Sequence, residues 1–393
     1  MNSVLYMAWR YLAYHKVKTT ILVLSIMLIV YLPVGLKVLV DQSEAELTTR
    51  AQATPLVIGA KGSPLELALN SLYFESDVPA AMRHAEVRRV EDSGLALAIP
   101  LHNRFRAQQH PIVGTSLDYF GFRGLRVAEG RQMAVLGECV LGAEVARETG
   151  VGPGGNLVSS PENVFDLAGV YPLRMKVVGV LERSHTPDDR VVFVDIKTAW
   201  VIEGLGHGHQ DMSRPEATPG VLRREGNKVI ANASVVQYNE ITPDNIDSFH
   251  FHGDTGEFPV TAVLVVPHDE KASALLQGRY LSPEEVVQVV DPETVMSDLL
   301  ETILTVQSYV VTAVIIIGIS TLATAALVFM LSLRLRRREI QTMTKIGGAR
   351  GTVVGVLAAE IVGVLAVGVL AAAGLTLLTR HFGSEIIRAV LLS

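Results

Sequence analysis

The side chains best suited to chemistry in this sequence are histidines. His207 and His209 stand two residues apart with Asp211 just beyond, and His250 and His252 repeat the spacing. Alternate residues of a strand face the same way, so each pair could offer two imidazoles to one metal ion. The segment around the first pair, GLGHGHQDMSRPEATPG, is rich in glycine and proline, the composition of a mobile surface loop. We therefore expect these histidines to be solvated loop residues and the chain to hold no metal. GVGPGGNLVSS at 150–160 clusters its glycines without the lysine and hydroxyl that a phosphate loop needs, so it reads as a turn before a strand. No other nucleotide-hydrolysing motif occurs. The remaining Asp, Glu and His show no paired-carboxylate, triad or zinc-hydrolase spacing, and no catalytic or cofactor-binding residue is nominated. The single Cys139 cannot form an intrachain disulfide and reads as a buried small hydrophobe.

What positions these groups is largely decided by a membrane. The chain has 393 residues, 49% of them hydrophobic, with a mean hydropathy of +0.34. Three stretches, 19–40, 303–333 and 351–379, are long and apolar enough to cross a bilayer. The net charge of −6 divides into +9 on the membrane-bearing ends (1–40 and 303–393) and −15 on residues 41–302. This excludes a soluble globular enzyme and argues against a nucleic-acid binder.

The charges also orient the spans. Arg10, Lys16 and Lys18 precede the first run, and Asp41, Glu44 and Glu46 follow it. The run exceeds a usual signal-peptide core and no small-x-small cleavage site follows, so it reads as a retained helix with a cytoplasmic N-terminus. Residues 1–18 would form a cytoplasmic elbow helix, with Trp9, Tyr11 and Tyr14 at the headgroup level. Between the second and third runs, residues 334–350 carry Arg334, Arg336, Arg337, Arg338, Lys345 and Arg350 against Glu339 alone. The positive-inside rule places this loop in the cytoplasm and residues 41–302 outside. Three crossings leave 380–393 as a short outer tail.

The outer segment is long enough to bury its own core. PLVIG at 55–59 and AVLVVP at 262–267 read as strands, each followed by a helix-compatible stretch, SPLELALNSLYF at 63–74 and DEKASALLQGRY at 269–280. Ser63 before Pro64 has the pattern of an N-cap and an N1 proline. Two such units at opposite ends suggest a domain assembled from both ends, with a second lobe inserted at about 110–258. Within it, LRMKVVGVLE at 173–182 and RVVFVDIKTAW at 190–200 read as strands. The fold class is α+β: a multi-pass α-helical membrane protein with three spans and a large two-lobed α/β outer domain.

In the third run Gly351, Gly355, Ala359 and Gly363 recur every four residues, a smooth stripe that lets another helix approach closely. Glu360 beside it is expensive in a bilayer and reads as part of a helix interface or hinge. In REIQTMTKIGGAR, the residues Arg338, Glu339, Ile340, Met343, Thr344 and Ile346 form a short amphipathic stretch that Gly347 and Gly348 end or bend. A short helix held there between two spans is placed to dock into a cytoplasmic partner.

These motifs resemble those of the FtsX-like (MacB-type) ABC transporter permeases, also called type VII or mechanotransmission transporters. AWRYLAYHKVKTTILVLSIMLIV resembles their elbow and first span. VGTSLDYFGFRGLRVAEGRQMAVLGECVLGAEVARETGVGPGGNLV and MKVVGVLERSHTPDDRVVFVDI are similar to their periplasmic domain. RRREIQTMTKIGGARGTVVGVLAAE resembles the signature running through the coupling helix into the following span, and is the most specific of the three. VIGAKGSPLELALNSLYF suggests a subfamily and fixes no substrate.

The resemblance implies an inner-membrane permease, a homodimer or paired with a related permease, bound to two copies of a separate cytoplasmic ATPase. ATP and Mg would be bound by that ATPase, and this chain would hydrolyse nothing and hold no cofactor. Arg338, Glu339, Ile340, Met343, Ile346, Gly347, Gly348 and Arg350 would contact the ATPase. Membrane lipid and a periplasmic adaptor or substrate protein complete the expected partners. Family roles include export or extraction of lipids, lipoproteins, peptides or drugs; the alternative is FtsX-like signalling to a periplasmic hydrolase or another envelope protein. Family members normally have four spans, whereas three are expected here.

Overall fold

The computed structural model describes residues 3–160, 172–209, 221–225, 228–231, 238–335, 337–345 and 349–391. It divides into a membrane unit, Met1–Thr49 with Ser297–Ser393, and an outer unit, Arg50–Met296.

The outer unit is built on a ten-stranded mixed sheet. Its strands run, in spatial order, Val287–Val290, Leu56–Ala60, Ala262–Pro267, Ala96–Ala107, His110–Thr115, Val192–Asp195, Glu138–Leu141, Arg174–Leu181 and Val127–Gly130. Asn156–Val158 pairs additionally with Arg174–Leu181. The two strands expected from the ends of the segment lie side by side, antiparallel, with Val57 opposite Leu264. The helix after the first, Pro64–Tyr73, starts on an N-cap at Ser63 whose hydroxyl accepts from the Glu66 N–H at 3.2 Å. Its counterpart, Glu270–Arg279, is capped by Asp269, which accepts from the Ala272 N–H at 2.7 Å.

Two hydrophobic cores form along this one sheet. One gathers Leu56, Ile58, Val87, Val263, Val265, Phe258 and Val287; the other gathers Phe105, Ile112, Cys139, Leu141, Met175, Val177 and Val194. The helix Ile196–Ile202 serves both. Ile196 and Trp200 enter the first core, and Ala199, Val201 and Ile202 enter the second.

That helix corrects the reading of 190–200 as a single strand: the strand ends at Asp195. The Asp195 carboxylate accepts from the Lys197 N–H at 2.9 Å, so an N-cap turns a β-branched run into a helix start. In the 150–160 segment, the turn is followed by the strand Asn156–Val158.

The membrane unit contains the helix Ser3–Tyr14, which breaks at His15 before the long helix Lys16–Gln52. It also contains most of Pro292–Leu335, the short helix Arg337–Lys345, and Arg350–Leu391. Among the described residues, three stretches are long and apolar enough to cross a bilayer: Lys16–Asp41, Pro292–Thr324 and Gly351–Phe382. The third helix continues through the residues expected as a tail, to Leu391.

Candidate functional site

The first candidate functional elements are those that dock, pack and hold helices.

The first is the loop between the second and third spans. Arg337–Lys345 is a helix of nine residues, and the next described helix begins at Arg350. Arg337, Arg338 and Lys345 are exposed, so the element presents positive charge to its surroundings. Ile340, Met343 and Thr344 occupy i, i+3 and i+4 positions, which share one helical face. Of the residues expected to contact an ATPase, Arg338, Glu339, Ile340 and Met343 fall on this helix and Arg350 begins the next. Ile346, Gly347 and Gly348 lie outside the described residues.

The second is the face of the third membrane helix that meets its neighbours. Gly355 faces Val4 and Gly363 faces Leu12, and a Cβ at either would sit 3.5 Å from those side chains, in ordinary contact. Gly351 faces open space and Ala359 is half-buried. The enclosed stripe itself runs one residue over, through Val356, Glu360, Val364, Gly368, Ala372 and Thr379. Gly368 permits the closest approach, since a Cβ there would come within 2.7 Å of Ile26 Cγ2. Higher up, the Tyr31 and Thr379 hydroxyls share a hydrogen bond of 2.8 Å. Glu360 is only 3% exposed, so its carboxyl is enclosed by protein rather than facing lipid.

The third was not anticipated from the sequence. Arg50, in the last turn of Lys16–Gln52, is buried in the outer unit and grips Asp188 with both guanidinium arms, Nη1–Oδ2 at 2.6 Å and Nη2–Oδ1 at 3.0 Å. The Tyr119 hydroxyl accepts from Arg50 Nη2 at 3.0 Å and donates to Asp188 Oδ1 at 2.6 Å. Arg50 Nε donates to the Leu72 carbonyl, and the Thr186 hydroxyl donates to Asp188 Oδ2 at 2.9 Å.

Burial alone would raise the Asp188 carboxyl, but Arg50, Tyr119 and Arg123 hold it below the ordinary carboxylate range. Arg123 beside them is pushed below the usual arginine range by burial and then by Arg50. Nothing in local spacing signals this pairing, because its partners are 138 residues apart. Asp188 itself sits in the turn-rich SHTPDD, where aspartates are expected for turn chemistry alone; the neighbouring Asp189 does that, accepting from the Ser184 and His185 N–H groups at 2.8 Å each.

The histidines are also displaced from expectation. Gly206–Gly208 is a strand, not a loop, paired antiparallel with Phe249–Phe251, and His207 stands opposite His250. The rest of GLGHGHQDMSRPEATPG from Gln210 on, with Asp211, lies outside the described residues.

Comparison with known proteins places this architecture. Residues 19–233 match the MacB-like periplasmic core domain. No curated protein matches the chain. Solved structures similar to it include the periplasmic region of MacB from Actinobacillus actinomycetemcomitans, at 9% identity and a TM-score of 0.34, covering 66% of this chain and 97% of that one. The extracellular domain of the noncanonic ABC-type transporter YknZ from Gram-positive bacteria gives 12% identity and a TM-score of 0.32, covering 60% and 98%. The family match covers more than half of the chain and includes the first span and most of the outer unit. The chain therefore belongs to the MacB-like periplasmic core domain family, and is a MacB-type ABC transporter permease, a membrane protein with a periplasmic α/β domain and not itself an enzyme.

Proposed function

We propose that this permease sits in the inner membrane and couples ATP hydrolysis by a separate cytoplasmic ATPase to movement of its periplasmic domain, exporting or extracting an envelope substrate. The observation that carries the reading is the short basic helix Arg337–Lys345 between two membrane helices, in a chain of this family. Two copies of the ATPase would bind two permease chains, with Ile340, Met343 and the Ile346–Gly348 segment as the docking surface. Glu339 and the arginines around it would add the charged rim.

The helix Lys16–Gln52 supports a mechanical reading. Its apolar part is a membrane span and its last turn ends in Arg50, locked to Asp188 and Tyr119. An end held by a bidentate buried ion pair transmits displacement of the helix instead of absorbing it. A lipid, lipoprotein, peptide or drug would be the cargo, acting with a periplasmic adaptor or substrate protein.

The test is affinity purification of the intact chain in detergent, with mass spectrometry of bound proteins and lipids, beside the Ile346→Asp and Gly347→Asp variants. We expect an ATPase with a Walker A motif to co-purify with the parent chain and be lost from both variants. If it persists in both with its activity still stimulated, the coupling assignment is wrong.

A further inference from the structure

The two histidine pairs, 43 residues apart from first to first, meet on one face of a two-stranded ribbon. One strand and its following residue read Gly206-His207-Gly208-His209, the other Phe249-His250-Phe251-His252. The antiparallel register sets Gly206 against Phe251, His207 against His250 and Gly208 against Phe249. With a period of two, the phenylalanines and glycines take one face and the histidines the other.

The phenylalanine face is anchored. Phe249 and Phe251 pack against the hydrophobic cores, and Phe251 lies edge-on to Trp200 at 6.4 Å. The glycines make this possible, because a Cβ on Gly206 or Gly208 would come within 2.5 Å of the Phe251 or Phe249 ring. The glycine content that suggests a loop is thus the packing requirement of a strand, and it fixes the side on which the imidazoles stand.

On that side the rings are close. His207 lies 4.9 Å from His250, 4.9 Å from His252 and 5.9 Å from His209, centroid to centroid. His250 lies 5.2 Å from His209 and 4.7 Å from His252. A tetrahedral zinc ion with bonds of about 2.0–2.1 Å holds imidazole centroids about 5 Å apart and their ligating nitrogens about 3.3 Å apart. One nitrogen from each of His207, His209 and His250 already lies within 4.8 Å of the others, so closing the site takes shifts of about an ångström, within reach of small χ rotations.

The tautomer of His250 is suited to ligation. Its Nδ1 lies 3.0 Å from the Ser248 carbonyl, which can only accept, so Nδ1 carries the proton and Nε2 offers its lone pair. Three half-buried rings and one exposed ring leave the face open to solvent.

We propose that His207, His209 and His250, with His252 as a fourth donor, form a binding site on the outer domain for a divalent transition-metal ion of the zinc class. An all-imidazole donor set with no carboxylate suits zinc, copper or nickel and disfavours magnesium and calcium. The site departs from the expectation that this chain holds no metal, and it stands independently of any ATPase coupling. Ligands from two strands separated in sequence would also make the ion a staple across the ribbon.

The test uses the full chain in detergent, purified through a tag free of histidine, with zinc and cobalt(II) as probes. Zinc affinity and stoichiometry are measured by competition with a chromophoric chelator. We expect one zinc per chain, a fall in affinity of more than about 100-fold in His207→Ala/His250→Ala, and no change in His268→Ala. Cobalt(II) should give the intense visible bands of a tetrahedral nitrogen site in the parent chain and in His268→Ala, but not in His207→Ala/His250→Ala. Trp200 fluorescence establishes that each variant is folded. Should the double variant fail to fold, the cobalt spectrum of the parent and the single variant His252→Ala, on the exposed ring, decide the matter. Absence of stoichiometric zinc binding, an octahedral cobalt spectrum, or binding indifferent to these histidines would overturn the site.

Discussion

Replacing Asp188 by alanine should be among the most damaging single changes in the outer domain. The carboxylate is 1% exposed and accepts two hydrogen bonds from Arg50, one from Tyr119 and one from Thr186. Its removal leaves the Arg50 guanidinium, 8% exposed, with the Leu72 carbonyl and the Tyr119 hydroxyl as its remaining partners and no counter-charge. Stripping one member from a buried pair costs about 3–5 kcal/mol, because the other charge stays desolvated. Tyr119→Phe, which removes one neutral hydroxyl from the same network, should cost about 1–3 kcal/mol. The double variant Arg50→Met/Asp188→Leu removes both charges and replaces them with apolar volume. It should cost clearly less than the sum of the single changes.

The assay is urea unfolding of the intact chain in mild detergent, in a Trp9→Phe background, so that Trp200, buried in the outer core, is the only tryptophan. The pH dependence has a definite sign. Since the folded state holds Asp188 below its unfolded pKa of about 3.9, the pair contributes fully above that value. Its contribution fades as the pH falls from about 3.9 through the lower folded pKa, and Asp188→Asn should remove that acid-side slope. The reasoning fails if Asp188→Ala stays within about 1 kcal/mol of the parent or if the two single changes add without coupling.

Two further outcomes are expected. Gly368→Val would drive its Cβ against Ile26 and should cost about 1–3 kcal/mol of helix packing, read as a lower thermal unfolding midpoint of the intact chain in detergent, whereas Gly351→Val, which meets open space, should leave the midpoint unchanged. The Cys139 thiol, fully buried and pushed up to about 12 by burial and then by Glu138, should resist alkylation at pH 8 in the native chain and react only as urea unfolds the domain; rapid native labelling would contradict its place in the core.

Much of this architecture is legible along the chain because its causes are local. A run of apolar residues long enough for a bilayer announces a span, and Ser63 before Pro64 announces a helix start that the structure contains. The pairing of Leu56–Ala60 with Ala262–Pro267 is visible only as two similar units, since strand partnership over 200 residues leaves no local trace. Where the reading fails, the deciding partner is remote. The helix Ile196–Ile202 continues a β-branched run and looks extended until the Asp195 cap is seen. Gly206 and Gly208 look like loop residues because the rings that require them belong to a strand more than 40 residues on.

Two of the buried acids, Asp188 and Glu360, show what charge patterning along the chain leaves out. Segregation into basic ends and an acidic middle counts every charge in the sequence alike, and the expected orientation rests on it. It does not distinguish an enclosed acid from an exposed one. Asp188 is matched within the outer unit by an arginine from the end of a membrane-crossing helix, and so converts a helix terminus into a fixed point. Glu360 lies within the most enclosed membrane helix, between Val356 and Val364, where a carboxyl is tolerated only if the surrounding helices keep their arrangement. Each acid raises the cost of any packing but the native one.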